Sequence, residues 1–104
     1  MSRPLPHDIE TMAELRAVID GIDRDLVSLL AERQSLIDRA PALKLREGIS
    51  AAVPSRVAEV LARVRDQAAQ TGFEPGVAEA MWQIMIDAMI AREERAMGKE
   101  GQKT

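Results

Sequence analysis

Three cations are the chemically suggestive residues of this chain: Arg16, Arg33 and Lys44. Arg33 and Lys44 lie eleven residues apart. On a helix that is three turns, so they share a face to within roughly 20°. Their Cα atoms would stand about 16 Å apart on a straight helix, a gap that two long cationic side chains narrow to the size of a small dianion. Arg16 precedes Arg33 by seventeen residues, about 25 Å along the axis and roughly 100° round it. It cannot join the same pocket within one chain. In an antiparallel pair of chains it reaches the other chain's pocket, giving two equivalent composite sites. Arginine binds a carboxylate through a planar two-donor fork, so the set suits a ligand with two carboxylates. The plainer alternative is three solvated helix charges, and spacing alone does not choose between them.

The elements that must carry these residues are helices. Thr11 followed by Glu14 has the form of a capping box. Leu15, Ile19, Ile22, Leu26, Leu29, Leu30 and Ile37 then hold an apolar stripe at helical spacing. The pattern continues to Leu43 and Leu45 and ends at Glu47–Gly48. Pro41 interrupts it, since a proline inside a helix removes a hydrogen bond and clashes with the preceding turn. The stripe on both sides favours a kink over a stop. Pro54 suits the first turn of a second helix, with Val57, Val60, Leu61, Val64 and Ala68 on one face and Gly72 as its cap. Pro75 opens a third, striped by Val77, Met81, Ile84, Met85, Ala88 and Met89 and closed by Gly98. The expected organisation is an extended arm over residues 1–10, a helical domain over 11–98 and a disordered tail over 99–104.

The first helix is too long for one chain to cover. About 33 residues span roughly 50 Å, whereas a compact globule of this size is only about 30 Å across. A second copy of the same helix covers the stripe by two-fold packing. The expected fold class is therefore all-α, three helices per chain with a long N-terminal helix, in an intertwined helical homodimer. A monomer bent back on itself at Pro41 is the competing arrangement.

Composition agrees with packed helices. Of 104 residues, 46% are hydrophobic but only 2% aromatic, so the core rests on aliphatic side chains, Met and Ala. A net charge of −3 argues against nucleic acid or a membrane surface as partner. With no Cys there is no disulfide and no thiolate to attack or bind metal. No secretory signal and no spanning segment are expected, which suits a cytoplasmic protein. His7 reads as a solvated residue, the Asp20/Asp23 pair as a solvated face, and Met81, Met85 and Met89 as core filler.

The segment Leu15-Arg16-Ala17-Val18-Ile19-Asp20-Gly21-Ile22-Asp23, followed by Leu29-Leu30-Ala31-Glu32-Arg33, resembles helix 1 of the helical chorismate mutases. That family includes the bacterial isochorismate pyruvate lyases. The resemblance runs from about Met12 to Met97 and aligns Arg16, Arg33 and Lys44 without a gap. It implies a dimer in which Arg16 from one subunit and Arg33 from the other hold the two substrate carboxylates. Lys44 would hydrogen-bond a carboxylate and the ether oxygen of the breaking C–O bond. Arg56 matches a further arginine of the family's site. Such catalysis folds the enolpyruvyl side chain over the ring and stabilises charge gathering on the ether oxygen. No nucleophile, metal or cofactor is implied.

Three positions depart from the family. Glu93 stands where many bacterial members carry a Gln that donates to the ether oxygen. A Glu donates only when protonated, so activity is expected to rise as pH falls. The alternative is that Glu93 is a surface residue paired with Arg92 or Arg95. Val53 and Val57 occupy positions where typical mutases supply carboxylates for the ring hydroxyl, which makes residues 49–57 more similar to the lyases. Pro41, less than one turn before Lys44, would re-aim that cation. The leading expectation is a chorismate mutase forming prephenate. The alternatives are an isochorismate pyruvate lyase giving salicylate and pyruvate, and a non-catalytic dimer that binds a small dicarboxylate.

Overall fold

A computed structural model describes residues 3–102, with side chains to residue 98. The tail expected over 99–104 lies outside the residues described with side chains. The helices are α1 (Met12–Ile37), α2 (Ala40–Glu47), α3 (Pro54–Thr71) and α4 (Pro75–Gln102), preceded by a single 3-10 turn, Pro6–Asp8. Among the described residues there is no strand, and no helix is long and apolar enough to cross a membrane. The chain divides into two compact units, Met1–Ser35 and Leu36–Thr104.

In the first unit the arm is held back by Arg3, whose guanidinium donates to the Asp25 carboxylate on α1. The capping box forms with a shift. The Glu14 N–H donates to the Thr11 hydroxyl at 3.1 Å, while the Glu14 carboxylate accepts from the N–H of Glu10 at 3.4 Å, one residue before the cap. From there α1 runs 26 residues without a break, about 39 Å, and none of its residues is buried. Leu29 is 60% exposed, and Leu26 and Leu30 are exposed as well.

The first helix stops sooner than its stripe predicts. It ends at Ile37, and two residues, Asp38 and Arg39, intervene before α2. Pro41 explains the place. Its ring would clash with the carbonyl four residues earlier, and that residue is Ile37. Arg39 keeps right-handed dihedrals (φ −81°, ψ −25°), and its N–H donates to the Leu36 carbonyl at 3.1 Å, so the interruption is a tight local turn. Pro41 itself sits in the first turn of α2, where no N–H is required. The three-helix plan thus holds with its first helix broken in two. The straight-helix separation of about 16 Å between Arg33 and Lys44 does not carry over.

Within the second unit α4 is the central element, packed against both α2 and α3. Gly48 (φ 69°) and Gly72 (φ 85°) cap α2 and α3 in the left-handed region, as their positions predict. Val64 and Ala68 of α3 bury against Ala78 of α4, with Val60 and Trp82 alongside. The buried face of α4 is Ala78, Ile86, Glu93 and Met97. It differs from the predicted stripe: Val77, Met81 and Ile84 are exposed, Ile84 at 74%. At Gly98 the backbone leaves helical geometry (φ 58°, ψ −149°), but where the sequence predicts a stop there is a kink, and helix continues to Gln102.

Candidate active site

Lys44 lies past the middle of α2 and Glu93 on the inward face of α4. The packing of these two helices brings Lys44 Nζ to 2.7 Å from Glu93 Oε1. The pair is sequestered, with the Glu93 side chain 6% exposed and that of Lys44 22%. Lys44 Nζ also donates to the Ala51 carbonyl at 2.7 Å, tying the connection after α2 to the same point. Glu93 Oε1 has no hydrogen-bond partner in spite of the close ammonium. The contact is therefore ionic but off-line: the directed hydrogen bond of Lys44 goes to Ala51, and one buried carboxylate oxygen keeps an unused acceptor. A charged donor and a carboxylate that face each other in a sequestered place can act on one polar atom of a ligand from two sides.

Glu93 does not point to the surface to pair with Arg92 or Arg95. Arg92 instead turns to Asp38, in the turn before α2. Its Nε donates to Oδ1 at 2.5 Å and its Nη2 to Oδ2 at 3.0 Å, a two-bond fork. The hydrogen bond from Arg92 holds the Asp38 carboxyl below its ordinary range, and the same bond raises Arg92. Nothing in the sequence pointed to this pair, because its members stand 54 residues apart.

The other predicted residues are placed but not gathered. Arg16 is exposed and Arg33 half-buried, both on α1, about 25 Å apart along an unbroken helix. Among the described residues neither forms an ion pair. Arg56 is exposed in the first turn of α3, where its guanidinium donates to Glu59 rather than to the Lys44–Glu93 pair. Val53 and Val57 stand half-buried where α3 begins, so neither of these positions supplies a carboxylate. An apolar cleft of about 380 Å³ between α3 and α4 is lined by Val64, Phe73 and Trp82 among others. It has no charged lining residue, so it does not suit a dianion.

Comparison with known proteins joins this geometry to a family. The family model for chorismate mutase type II matches residues 15–94, a span that includes Arg16, Arg33, Lys44, Arg56 and Glu93. The chain belongs to the type II chorismate mutase family. It is 32% identical over 79 residues to the chorismate mutase of Methanocaldococcus jannaschii, covering 76% of this chain and 80% of that protein. It is 31% identical over 88 residues to the isochorismate pyruvate lyase of Pseudomonas aeruginosa, covering 85% of this chain and 86% of that protein. A T-protein of Enterobacter agglomerans is 35% identical over 71 residues, 68% of this chain but only 19% of that longer protein. Both a mutase and a lyase of the family are thus matched over most of their length.

Proposed function

We propose that this protein rearranges chorismate to prephenate in composite sites of a homodimer, with the cytoplasm as its setting. The observation that carries the reading is the sequestered Lys44–Glu93 pair, which sets a cation and a carboxyl against one another from α2 and α4. The reaction is pericyclic: the ether C–O bond breaks as a C–C bond forms, with no proton or electron supplied. What the protein contributes is shape and charge. Arg16 of one chain and Arg33 of the other hold the two carboxylates through forks, which keeps the enolpyruvyl arm over the ring. Lys44 donates to the ether oxygen as negative charge gathers there. Glu93, once protonated, donates to the same oxygen. Arg56 contributes a further positive charge at the entrance to α3.

The homodimer is supported by the apolar surface that one chain leaves exposed. Leu26, Leu29 and Leu30 of α1, and Val77, Met81 and Ile84 of α4, are large hydrophobic residues facing solvent. Contiguous apolar patches of this kind mark interfaces in stable proteins.

Val53 and Val57 favour a second reading, isochorismate pyruvate lyase, because no acceptor there selects the ring hydroxyl of chorismate. Incubation with chorismate and, separately, with isochorismate distinguishes the readings by product. Prephenate supports the mutase, and salicylate with pyruvate supports the lyase. Turnover of neither substrate refutes catalysis and leaves a binder of small dicarboxylates.

A further inference from the structure

We propose that Asp38 and Arg92 form a positioning pair that sets where Lys44 stands against Glu93; as a claim about turnover it rests on the catalytic reading above. The two pairs bind the same two segments. Asp38 and Lys44 belong to the turn and helix around α2, and Arg92 and Glu93 are neighbours on α4. The inner contact holds one point of α2 but does not set its orientation, since Lys44 meets Glu93 off-line through a single flexible side chain. The outer contact is a fork whose two bonds run to different oxygens of one carboxylate. A fork fixes orientation as well as distance.

Only α2 needs such a device. It has eight residues, too few to be stable by themselves, and Pro41 has broken its continuity with α1. Its start is therefore located by Asp38 on α4, and its far half by Lys44 on Glu93 and Ala51. Asp38 and Arg92 remain 45% and 41% exposed and touch no reacting group. Their contribution passes through the place of the Lys44 ammonium.

The test uses Asp38→Asn, Arg92→Gln, the double variant and Arg92→Lys, in the full chain. Turnover of chorismate or isochorismate is measured together with amide hydrogen exchange. A displacement of about 1 Å at a reacting centre lowers rate by up to about a hundredfold. Each single variant should therefore lose about tenfold or more in kcat, with KM changed by less than about twofold. The double should be no worse than either single, because both remove one device. Arg92→Lys, which keeps the charge but not the fork, should behave as Arg92→Gln. Amides over residues 44–47 should exchange about tenfold faster in all four, and those of α3 no faster. Unchanged kcat in the single variants, losses that multiply in the double, or unchanged exchange over 44–47 overturns the proposal. If the unaltered protein converts neither substrate, the catalytic reading fails instead. The exchange result then decides by itself whether the pair places α2.

Discussion

Replacing Lys44 with Met keeps most of the unbranched side chain and removes its charge. Glu93 is then left with a carboxylate that is 6% exposed and has no replacement donor, since Oε1 accepts no hydrogen bond even in the intact protein. Removing one partner of a buried ion pair costs about 3–5 kcal/mol. Lys44 keeps 22% exposure, so water reaches its end of the pair and the lower figure, about 3 kcal/mol, applies. That is more than a hundredfold in the folding equilibrium. Changing Glu93 to Gln as well removes the orphaned charge, and the double variant should return to within about 1 kcal/mol of the parent. The assay is urea unfolding at neutral pH with protomer concentration held constant, because the proposed assembly is a dimer. Catalysis should not follow stability: both variants lack the cation proposed to act at the ether oxygen and should lose about 10²–10³ in kcat. A single variant as stable as the double at neutral pH would falsify the claim that Glu93 is held as a buried charge by Lys44.

Mixing Arg16→Ala chains with Arg33→Ala chains should restore about a quarter of the parental activity, because half of the dimers are mixed and each of these has one intact site; no recovery after exchange of subunits refutes the composite site. Leu29→Glu or Ile84→Glu, each at an exposed apolar position, should give monomers in sedimentation, whereas an unchanged mass would remove that face from the interface. Glu93→Gln replaces a carboxyl with an amide that donates whatever the pH and should raise kcat at neutral pH; an unchanged kcat would exclude a donor role. Asp38, held below the ordinary carboxylate range by Arg92, contributes stability that is complete above that range and is lost as pH falls through its lowered value. Carbon NMR of its carboxyl should show the late titration, and a titration at the ordinary value would mean that the fork does not persist in solution.

The sequence made most helix limits legible, because they rest on local chemistry. Pro54 and Pro75 start helices, Gly48 and Gly72 end them, and Thr11 caps α1, each through the dihedral angles or hydrogen bonds of that residue alone. The buried face of α4 was not legible. Val77, Met81 and Ile84 form one apolar row, and Ala78, Ile86 and Met97 form another. Periodicity registers both and cannot say which one a single chain buries. Pro41 announced a disturbance, but the apolar residues on both sides hid that α1 would stop at Ile37. At the site, Lys44 and Glu93 could be named from a family pattern. The Asp38–Arg92 fork could not, because a contact across 54 residues leaves no trace in spacing.

The break at Asp38–Arg39 also bears on how the chain tolerates change. In an unbroken helix, one residue gained or lost between Arg33 and Lys44 would swing the lysine by about 100° and shift it by about 1.5 Å, enough to take it away from Glu93. Here α2 is tied to α4 through Asp38 and Lys44. Insertions or deletions in α1 are therefore expected to leave the Lys44–Glu93 contact in place, so that the long helix can change length at little cost to the pair.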